Sequence, residues 1–287
     1  MTALTGGNTR RPRLPRPGRL SASGDVWRRR LLIGFVALYV GLLVLAPLAA
    51  LTAGAFREGL RAIGQALSQP DVLAAFWRTL SIALITVLVH ATLGTAVAWV
   101  LVRHRFPGRQ LLNGLIDLPF AVSAVVVGYM LLLLFGRNGV LGPVLQALNI
   151  KVAFALPGMI LATLFVTLPF MVRELMPVLE AFGTEQEQAA ATLGASGWQT
   201  FWRVTFPALR WGFVYGVTLT FARALGEFGA VLVIGGGVQG RTETATLYIY
   251  RALDERQYTG AYSAALVLGL LSLVIVVGSD WLRRRQK

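Results

Sequence analysis

Cysteine is absent from this 287-residue chain, and histidine occurs only twice. Without cysteine there is no disulfide, no thiolate nucleophile and no cysteine-ligated zinc. The two histidines, His90 and His104, lack the sequence spacing of a metal-binding pair. We therefore expect no metal site, and we expect His90, which lies within an apolar run, to be a packing residue.

Lysine is almost as rare, and its scarcity excludes one class of enzyme. A phosphate-binding P-loop needs a lysine that reaches the nucleotide phosphates. The chain has only Lys151, which no glycine pattern precedes, and Lys287 at the C-terminus, and the glycine run at 235–237 contains no lysine. The sequence therefore predicts that this chain does not hydrolyse ATP and holds no cofactor of its own.

Charged residues are also few, at 14% of the chain, whereas 55% of residues are hydrophobic and the mean hydropathy is +0.64. This composition is typical of a membrane protein. A formal net charge of +14 could indicate nucleic-acid binding, but the arginines cluster at the ends of apolar runs without interleaved aromatic residues. We interpret them as determinants of membrane topology, so the expected partner is membrane lipid and not nucleic acid.

Six apolar segments approach the roughly 20 residues that a helix needs to cross a bilayer. They are residues 31–53, 80–102, 117–135, 153–172, 212–234 and 260–280. Asp117 and Pro119 lie at the start of the third segment. Because proline is tolerated in the first turn of a helix, we interpret both residues as the beginning of that span.

The distribution of basic residues predicts the orientation of these spans. Residues 1–30 are rich in arginine, proline and glycine and are expected to form a disordered basic tail, followed by a transmembrane domain at 31–287. Most of the 27 lysines and arginines lie in this tail, in the loops at 103–116 and 173–211, and at the C-terminus. The positive-inside rule therefore places both termini and both loops in the cytoplasm.

A polar stretch, EQEQAAATLGASGWQTFWRVTFP at residues 185–207, interrupts the apolar pattern. Thr184 and Glu187 have the spacing of a capping box, which predicts the start of a short helix. Gly194 is a natural end for that helix, because glycine adopts the left-handed conformation without strain. The alanines at 189–191 leave room for another chain to approach closely.

A second short helix is predicted by the capping-box spacing of Ser196 and Gln199. Its apolar face is formed by Trp198, Phe201, Trp202 and Thr205. Pro207 is expected to end it. Physical reasoning leaves two interpretations open, a docking element for a partner protein and an ordinary helical hairpin at the membrane interface.

Arg223 and Glu227 are ionisable residues within the fifth predicted span. Such residues are costly in a bilayer and mark a transport pathway or a buried pair. Their spacing of four places them on one helical face, where each can neutralise the other. Gly212 and Gly216 share the same spacing and predict close approach of a neighbouring helix. A packing role and a role in an anion path or gate both remain open.

The polar stretch resembles the loop of ABC importer permeases that has the pattern E-A-A-x3-G-x9-I-x-L-P. The matching residues are Gln188, Ala189, Ala190, Gly194, Val204, Phe206 and Pro207, with Glu187 beside the glutamine that replaces the usual glutamate. In that family the first helix of the loop, the coupling helix, docks in a groove of an ATPase subunit. The resemblance implies ATPase coupling through Glu187, Gln188, Ala189, Ala190, Gly194 and Pro207.

Further segments resemble the sulfate/thiosulfate and molybdate permeases. They are FARALGEFGA at 221–230, LPFAV at 118–122 and FGRNG at 135–139. The segments FALPG at 154–158 and GASGWQ at 194–199 most resemble the W-type sulfate permeases. The resemblance covers nearly the whole chain from about residue 31 onward.

This resemblance implies an all-α, polytopic membrane protein with six transmembrane helices and the type I (MetI-like) permease fold, in a bacterial inner membrane. The implied partners are a T-type permease subunit, two copies of an ABC ATPase that binds ATP and magnesium, and a periplasmic or lipid-anchored sulfate-binding protein. The chain itself would be the non-catalytic subunit that passes sulfate or thiosulfate.

Two alternatives to a sulfate permease remain. Molybdate or tungstate is the alternative substrate. A stand-alone secondary transporter is the alternative class, and it would predict internal repeats, of which we find none.

Overall fold

The computed structural model describes residues 22–284, so the first 21 residues of the expected tail lie outside the described part. All of the regular elements in the described range are helices. They are α1 (Ala22–Phe56), α2 (Leu60–Leu67), α3 (Pro70–Val89), α4 (Thr95–Arg103), α5 (Arg109–Ala121), α6 (Ala124–Phe135), α7 (Gly142–Ala147), α8 (Leu156–Phe182), α9 (Glu185–Thr192), α10 (Gly197–Thr200), α11 (Phe206–Leu225), α12 (Gly229–Gly235), α13 (Ala245–Asp254) and α14 (Tyr258–Arg284). Short π-helical turns at His90–Gly94 and Phe201–Thr205 join α3 to α4 and α10 to α11.

The chain divides into two compact units, Met1–Ala50 and Leu51–Lys287. In the described part of the first unit, α1 begins at Ala22, within the stretch expected to be disordered. Large apolar side chains are exposed along this helix, as befits a surface surrounded by lipid. The second unit contains the helices discussed below.

The six predicted spans correspond to four long apolar helices and two bent helix pairs. The long helices are Trp27–Phe56, Pro70–Arg103, Leu156–Phe182 and Tyr258–Trp281. The bent pairs are Arg109–Ala121 with Ala124–Phe135, and Gly197–Leu225 with Gly229–Gly235. The architecture is therefore all-α and polytopic, as predicted, but not every span is continuous.

The interpretation of Asp117 and Pro119 as the start of the third span is wrong. Both residues lie inside α5, and the chain breaks after them at 122–123, where α5 and α6 meet at 115°. Val122 and Ser123 adopt extended backbone conformations. Asp117 instead binds Arg173 of α8, with its Oδ1 accepting from Nε at 2.7 Å.

The fifth span is also not the single helix predicted at 212–234. Helix α11 ends at Leu225, and α12 begins at Gly229 after a bend of 57°. Two glycines, Gly226 and Gly229, weaken the helix at this point. The bend falls between Arg223 and Glu227, so these residues do not share one helical face.

Helix α8 lies at the centre of the second unit and packs against α3, α4, α5, α6, α11 and α12. The close approach predicted at Gly212 and Gly216 is confirmed. A Cβ at Gly212 would lie 2.9 Å from Val178 Cγ2, and one at Gly216 would lie 2.7 Å from Met171 Sδ. Helix α8 continues to Phe182, ten residues past the predicted end at 172. Its length of about 40 Å places the polar stretch at one end of the unit and the segment 136–155 at the other.

Candidate functional site

The polar stretch begins with a sharp change of direction after α8. Helix α8 ends at Phe182, Gly183 has φ +68°, and α9 starts at Glu185. The predicted capping box of Thr184 and Glu187 is wrong, because Thr184 makes no side-chain capping bond. The side chain of Glu187 turns away from the start of its own helix.

Glu187 binds Arg103, the last residue of α4. The Nε of Arg103 lies 2.9 Å from Oε2 of Glu187, and the two side chains are only 8% and 16% exposed. Thr205 adds a hydrogen bond from its hydroxyl to Oε1 of Glu187, at 2.8 Å. The inner side of α9 is therefore held by a mostly buried ion pair, in which each charge depends on the other.

Arg103 also binds the end of α8. Its guanidinium donates to the carbonyl oxygens of Leu179 at 3.1 Å and Gly183 at 2.6 Å. A cation at this position satisfies carbonyls that have no partner within the helix and favours the negative end of its dipole. Arg103 thus joins the ends of α4 and α8 to α9. Sequence analysis missed this role, because an arginine at the end of a span is read as a topology signal.

The opposite side of α9 is exposed and combines polar side chains with small alanines. Gln188 and Ala189 are exposed and Ala190 is partly buried. Leu193, just beyond the helix, has 89% of its surface exposed. Leu193 therefore adds one large apolar side chain to the exposed face of this stretch. Leu193 was not among the predicted site residues.

Gly194 ends α9 as predicted. Its φ is +82°, its N–H donates to Ala191, and the N–H of Ala195 donates to Ala190, both at 3.0 Å. This is the Schellman pattern of helix termination, which requires a left-handed residue. A Cβ at Gly194 would have nothing within 4 Å, so the requirement for glycine is conformational and not steric.

The second capping box is confirmed, but the predicted role of Pro207 is wrong. Ser196 accepts from the N–H of Gln199 at 3.3 Å, and the Gln199 side chain accepts from the N–H of Ser196 at 3.0 Å. Pro207 lies within the first turn of α11 and does not end the helix. The π turn at 201–205 precedes it, so the helix accommodates a residue that has no N–H to donate.

An aromatic cluster covers this second part of the polar stretch. Trp198, Phe201, Trp202 and Phe206 pack with ring centroids 5.0–6.5 Å apart. Together with residues of the π turn at 90–94 and of α4, they line an apolar cavity of about 550 Å³. Trp198 is 71% exposed. Tryptophan in this setting is typical of a membrane interface.

Arg223 and Glu227 form an ion pair across the bend between α11 and α12, with Nη1 and Oε2 2.9 Å apart. The pair was predicted, but its geometry depends on the bend. Glu227 is 2% exposed, whereas Arg223 is 33% exposed. Oε1 of Glu227 accepts from the N–H of Ala230 at 3.1 Å, so the carboxylate also neutralises the positive end of α12. The backbone carbonyl of Glu227 accepts from the hydroxyl of Thr246 at 2.7 Å.

A further ion pair, with a buried carboxylate, lies at the other end of the unit. Glu243, fully buried, binds Nε of Arg251 at 2.6 Å, and this hydrogen bond raises the pKa of Arg251. Arg78 donates to the carbonyl oxygens of Glu243 and Gly240. These contacts fix the loop between α12 and α13. Sequence patterns do not indicate these contacts, because Arg78 is distant along the chain and Glu243 lies outside α13, the helix that carries Arg251.

Among residues 22–284, no three His, Asp or Glu side chains are placed to hold a metal ion. His90 is 4% exposed, and its Nε2 lies 3.0 Å from the Thr167 hydroxyl and 3.1 Å from the Leu164 carbonyl. It therefore packs against α8, which confirms the expectation of a packing residue.

The comparisons with known proteins agree with this architecture. Residues 90–287 match the family described as binding-protein-dependent transport system inner membrane component. The chain is 50% identical over 246 residues to the sulfate transport system permease protein CysW of Synechococcus elongatus, covering 86% of each chain. It is 40% identical to the sulfate transport system permease protein CysT of Escherichia coli, covering 90% of this chain and 95% of that one.

Among solved structures, a bacterial ABC transporter involved in the import of alginate superposes with a TM-score of 0.75 at 19% identity, over 92% of this chain and 98% of that one. At this identity the likeness concerns the fold alone, which is that of an ABC importer permease. The chain therefore belongs to the family of binding-protein-dependent transport system inner membrane components, where it stands among the relatives of the CysW permeases.

Proposed function

We propose that this chain is the non-catalytic W-type permease subunit of an ATP-driven importer that carries sulfate or thiosulfate across the bacterial inner membrane. The names of its relatives support this substrate, and its identity is higher to the CysW relative, at 50%, than to the CysT relative, at 40%. Molybdate is the less supported substrate, because both of these relatives are sulfate permeases by name.

The observation that carries the proposal is the construction of α9. This helix is anchored on one side through Glu187 and Arg103 and exposes Gln188, Ala189 and Leu193 on the other. A rigidly held helix with an exposed face can transmit a push or pull from a partner protein to the spans behind it. We assign the exposed face as the contact with an ABC ATPase, with Gly194 fixing the angle at which the helix meets it.

Arg103 extends this assignment to the spans themselves. Because it binds α8 and α9 from the end of α4, a displacement of α9 pulls on two membrane helices at once. Thr205, which also contacts Glu187, adds the helix that leads into α11. Movement of the ATPase is thus transmitted through Glu187 to α4, α8 and α11.

The same assignment fixes the orientation of the protein in the membrane. An ATPase that uses cytoplasmic ATP must meet α9 in the cytoplasm, so the loops at 136–155 and 236–244 face outward. This agrees with the orientation that the arginine distribution favours, with both termini in the cytoplasm.

The remaining partners follow from the proposed function. The chain pairs with a T-type permease subunit to enclose the path, two ATPase copies supply ATP and magnesium, and a periplasmic or lipid-anchored binding protein delivers the anion. Arg223 is the candidate pathway residue. Its side chain is one-third exposed beside a buried carboxylate, so an anion could compete with Glu227 for the guanidinium.

Reconstitution of the four components in proteoliposomes tests this proposal. Radiolabelled sulfate should accumulate only when ATP and the binding protein are on opposite sides of the membrane, and unlabelled thiosulfate should compete more effectively than molybdate. Uptake by this chain alone, without the ATPase, would establish a secondary transporter instead. Stronger competition by molybdate would reassign the substrate.

A further inference from the structure

A cleft at the end of the second unit opposite α9 contains two cations that have no assigned role. It lies between the end of α6, the short helix α7 and the start of α8, and has a volume of about 590 Å³. Arg137 and Lys151 stand in its lining with Gln146 and Asn149. Lys151 is one of only two lysines in the chain.

Neither cation is neutralised by the protein. Both are exposed, and in the part of the chain that the structure describes no carboxylate lines the cleft. The sequence explains why, since there is no Asp or Glu from residue 118 to residue 173. The ion pairs seen between described side chains involve other arginines. The charge in the cleft therefore remains available to a ligand.

The backbone around Lys151 is held in an unusual conformation. Asn149 and Phe154 have φ +53° and +55°, a region that a bulky residue such as phenylalanine rarely adopts. The N–H of Phe154 donates to the carbonyl of Ile234 at 2.7 Å, and its ring lies 2.8 Å from where a Cβ on Gly236 would stand. Backbone strain of this kind persists where the surrounding structure imposes it, and it is concentrated at functional sites.

The opposite wall is equally fixed. Gln146 donates from Nε2 to the carbonyl of Arg137 at 2.8 Å, and a Cβ at Gly142 would lie 2.4 Å from the same oxygen. Helix α7 and the turn after α6 are thus packed too closely to collapse into the cleft. Both cations thus extend from backbone that is held by these contacts, while their side chains are exposed.

We infer that this cleft binds a tetrahedral oxyanion between Arg137 and Lys151. Two cations that face a shared space without an acid favour an anionic group with several oxygens, and guanidinium and ammonium both bind such oxygens by charge-assisted hydrogen bonds. The cleft is larger than a bare oxyanion requires and has apolar walls at Phe135, Leu145 and Phe154. It therefore has room for a free inorganic anion or for the phosphate of a phospholipid headgroup.

Binding of sulfate to the full chain in phosphatidylcholine nanodiscs tests whether the cleft takes a free inorganic anion. Radiolabelled sulfate would be titrated at constant ionic strength against the wild type, Arg137→Gln, Lys151→Gln and the double variant. Each single change should weaken binding by roughly threefold to fivefold, the order expected for one solvated ion pair. The double change should weaken it by about tenfold or more. Arg61→Gln is the matched control, because Arg61 is an exposed arginine of α2 outside the cleft. This variant should bind sulfate with the affinity of the wild type.

Retention of lipid during purification tests whether the cleft takes the phosphate of a phospholipid headgroup. The same variants would be purified from membranes containing phosphatidylglycerol, and the bound lipid would be counted by native mass spectrometry. Loss of retained phosphatidylglycerol in the double variant, with no saturable sulfate binding in the wild type, would identify the lipid phosphate as the occupant. If neither sulfate affinity nor lipid retention differs between the double variant and Arg61→Gln, the inference is overturned. Uptake in the reconstituted importer is measured separately, so a failed binding test does not bear on the proposed transport function.

Discussion

Replacing Glu187 by glutamine is the change that should reveal how α9 is held. The substitution keeps the size of the side chain but removes its charge, and it leaves the guanidinium of Arg103, only 8% exposed, without a counter-ion. Breaking a buried ion pair from one side costs about 3–5 kcal/mol. The lower end applies here, because Arg103 keeps its two carbonyl acceptors, Leu179 in α8 and Gly183 just after it.

A loss of about 3 kcal/mol in the local stability of α9 corresponds to roughly a hundredfold more frequent opening, since each 1.36 kcal/mol is tenfold. Hydrogen exchange of the amides at 185–192, measured by mass spectrometry on the full chain in nanodiscs, should accelerate by that factor in Glu187→Gln. Exchange in the centre of α8 should not change. ATPase stimulation by the reconstituted complex should fall in parallel.

Two further variants make this experiment specific. Arg105→Gln removes an exposed arginine two residues away and should leave the exchange of α9 unchanged. A double change, Arg103→Met with Glu187→Met, should recover part of the loss, because no charge is then left unpaired. Wild-type exchange at 185–192 in Glu187→Gln would refute the reasoning that this ion pair anchors the helix.

Three other predictions follow from local geometry. Gly194→Val should reduce co-purification of the ATPase, because valine at φ +82° costs about 1–2 kcal/mol. Gly197→Val is the control and should not reduce it, because the space around Gly197 is equally open and its φ is not positive. Equal effects of the two substitutions would contradict the conformational role of Gly194. Arg223→Ala should lower the yield of folded protein more than the double change with Glu227→Ala, since the single change leaves a carboxylate buried; equal yields with transport lost in both would favour a direct role in the anion path. Burial raises the pKa of Tyr248 above 10.0, so stability should fall as pH rises past that value, where the unfolded chain ionises first. Thermal unfolding from about pH 9 to 11 should show a shallower loss in Tyr248→Phe, and an unchanged slope would contradict the assignment.

The features predicted correctly from the sequence are those set by local patterns. Long apolar runs locate the spans because a helix satisfies its own backbone hydrogen bonds in lipid and needs about 20 apolar residues to cross it. Gly194 and the capping box at 196–199 were identified because helix ends depend on a few neighbouring residues. The glycines at 212 and 216 indicated close packing because their spacing of four places both on one face of the helix.

The errors arose where tertiary contacts override a local signal. Thr184 and Glu187 have capping-box spacing, but Glu187 binds Arg103, which is distant in sequence. Pro207 looked like a helix end, yet a π turn lets the helix continue through it. The bends at 122–123 and 226–228 were missed, because hydropathy averages over a window and does not register the direction of the chain.

The exposed face of α9 is the proposed contact with the ATPase. Because the chain has no native cysteine, Ala189→Cys gives a single labelling site, which can carry a benzophenone cross-linker in the assembled importer. Irradiation should join this chain to the ATPase from position 189, and the same label on Gln239→Cys, at the opposite end of the unit, should give no such product. A transport-competent complex in which position 189 yields no ATPase adduct, or in which position 239 yields one, would show that α9 is not the ATPase contact.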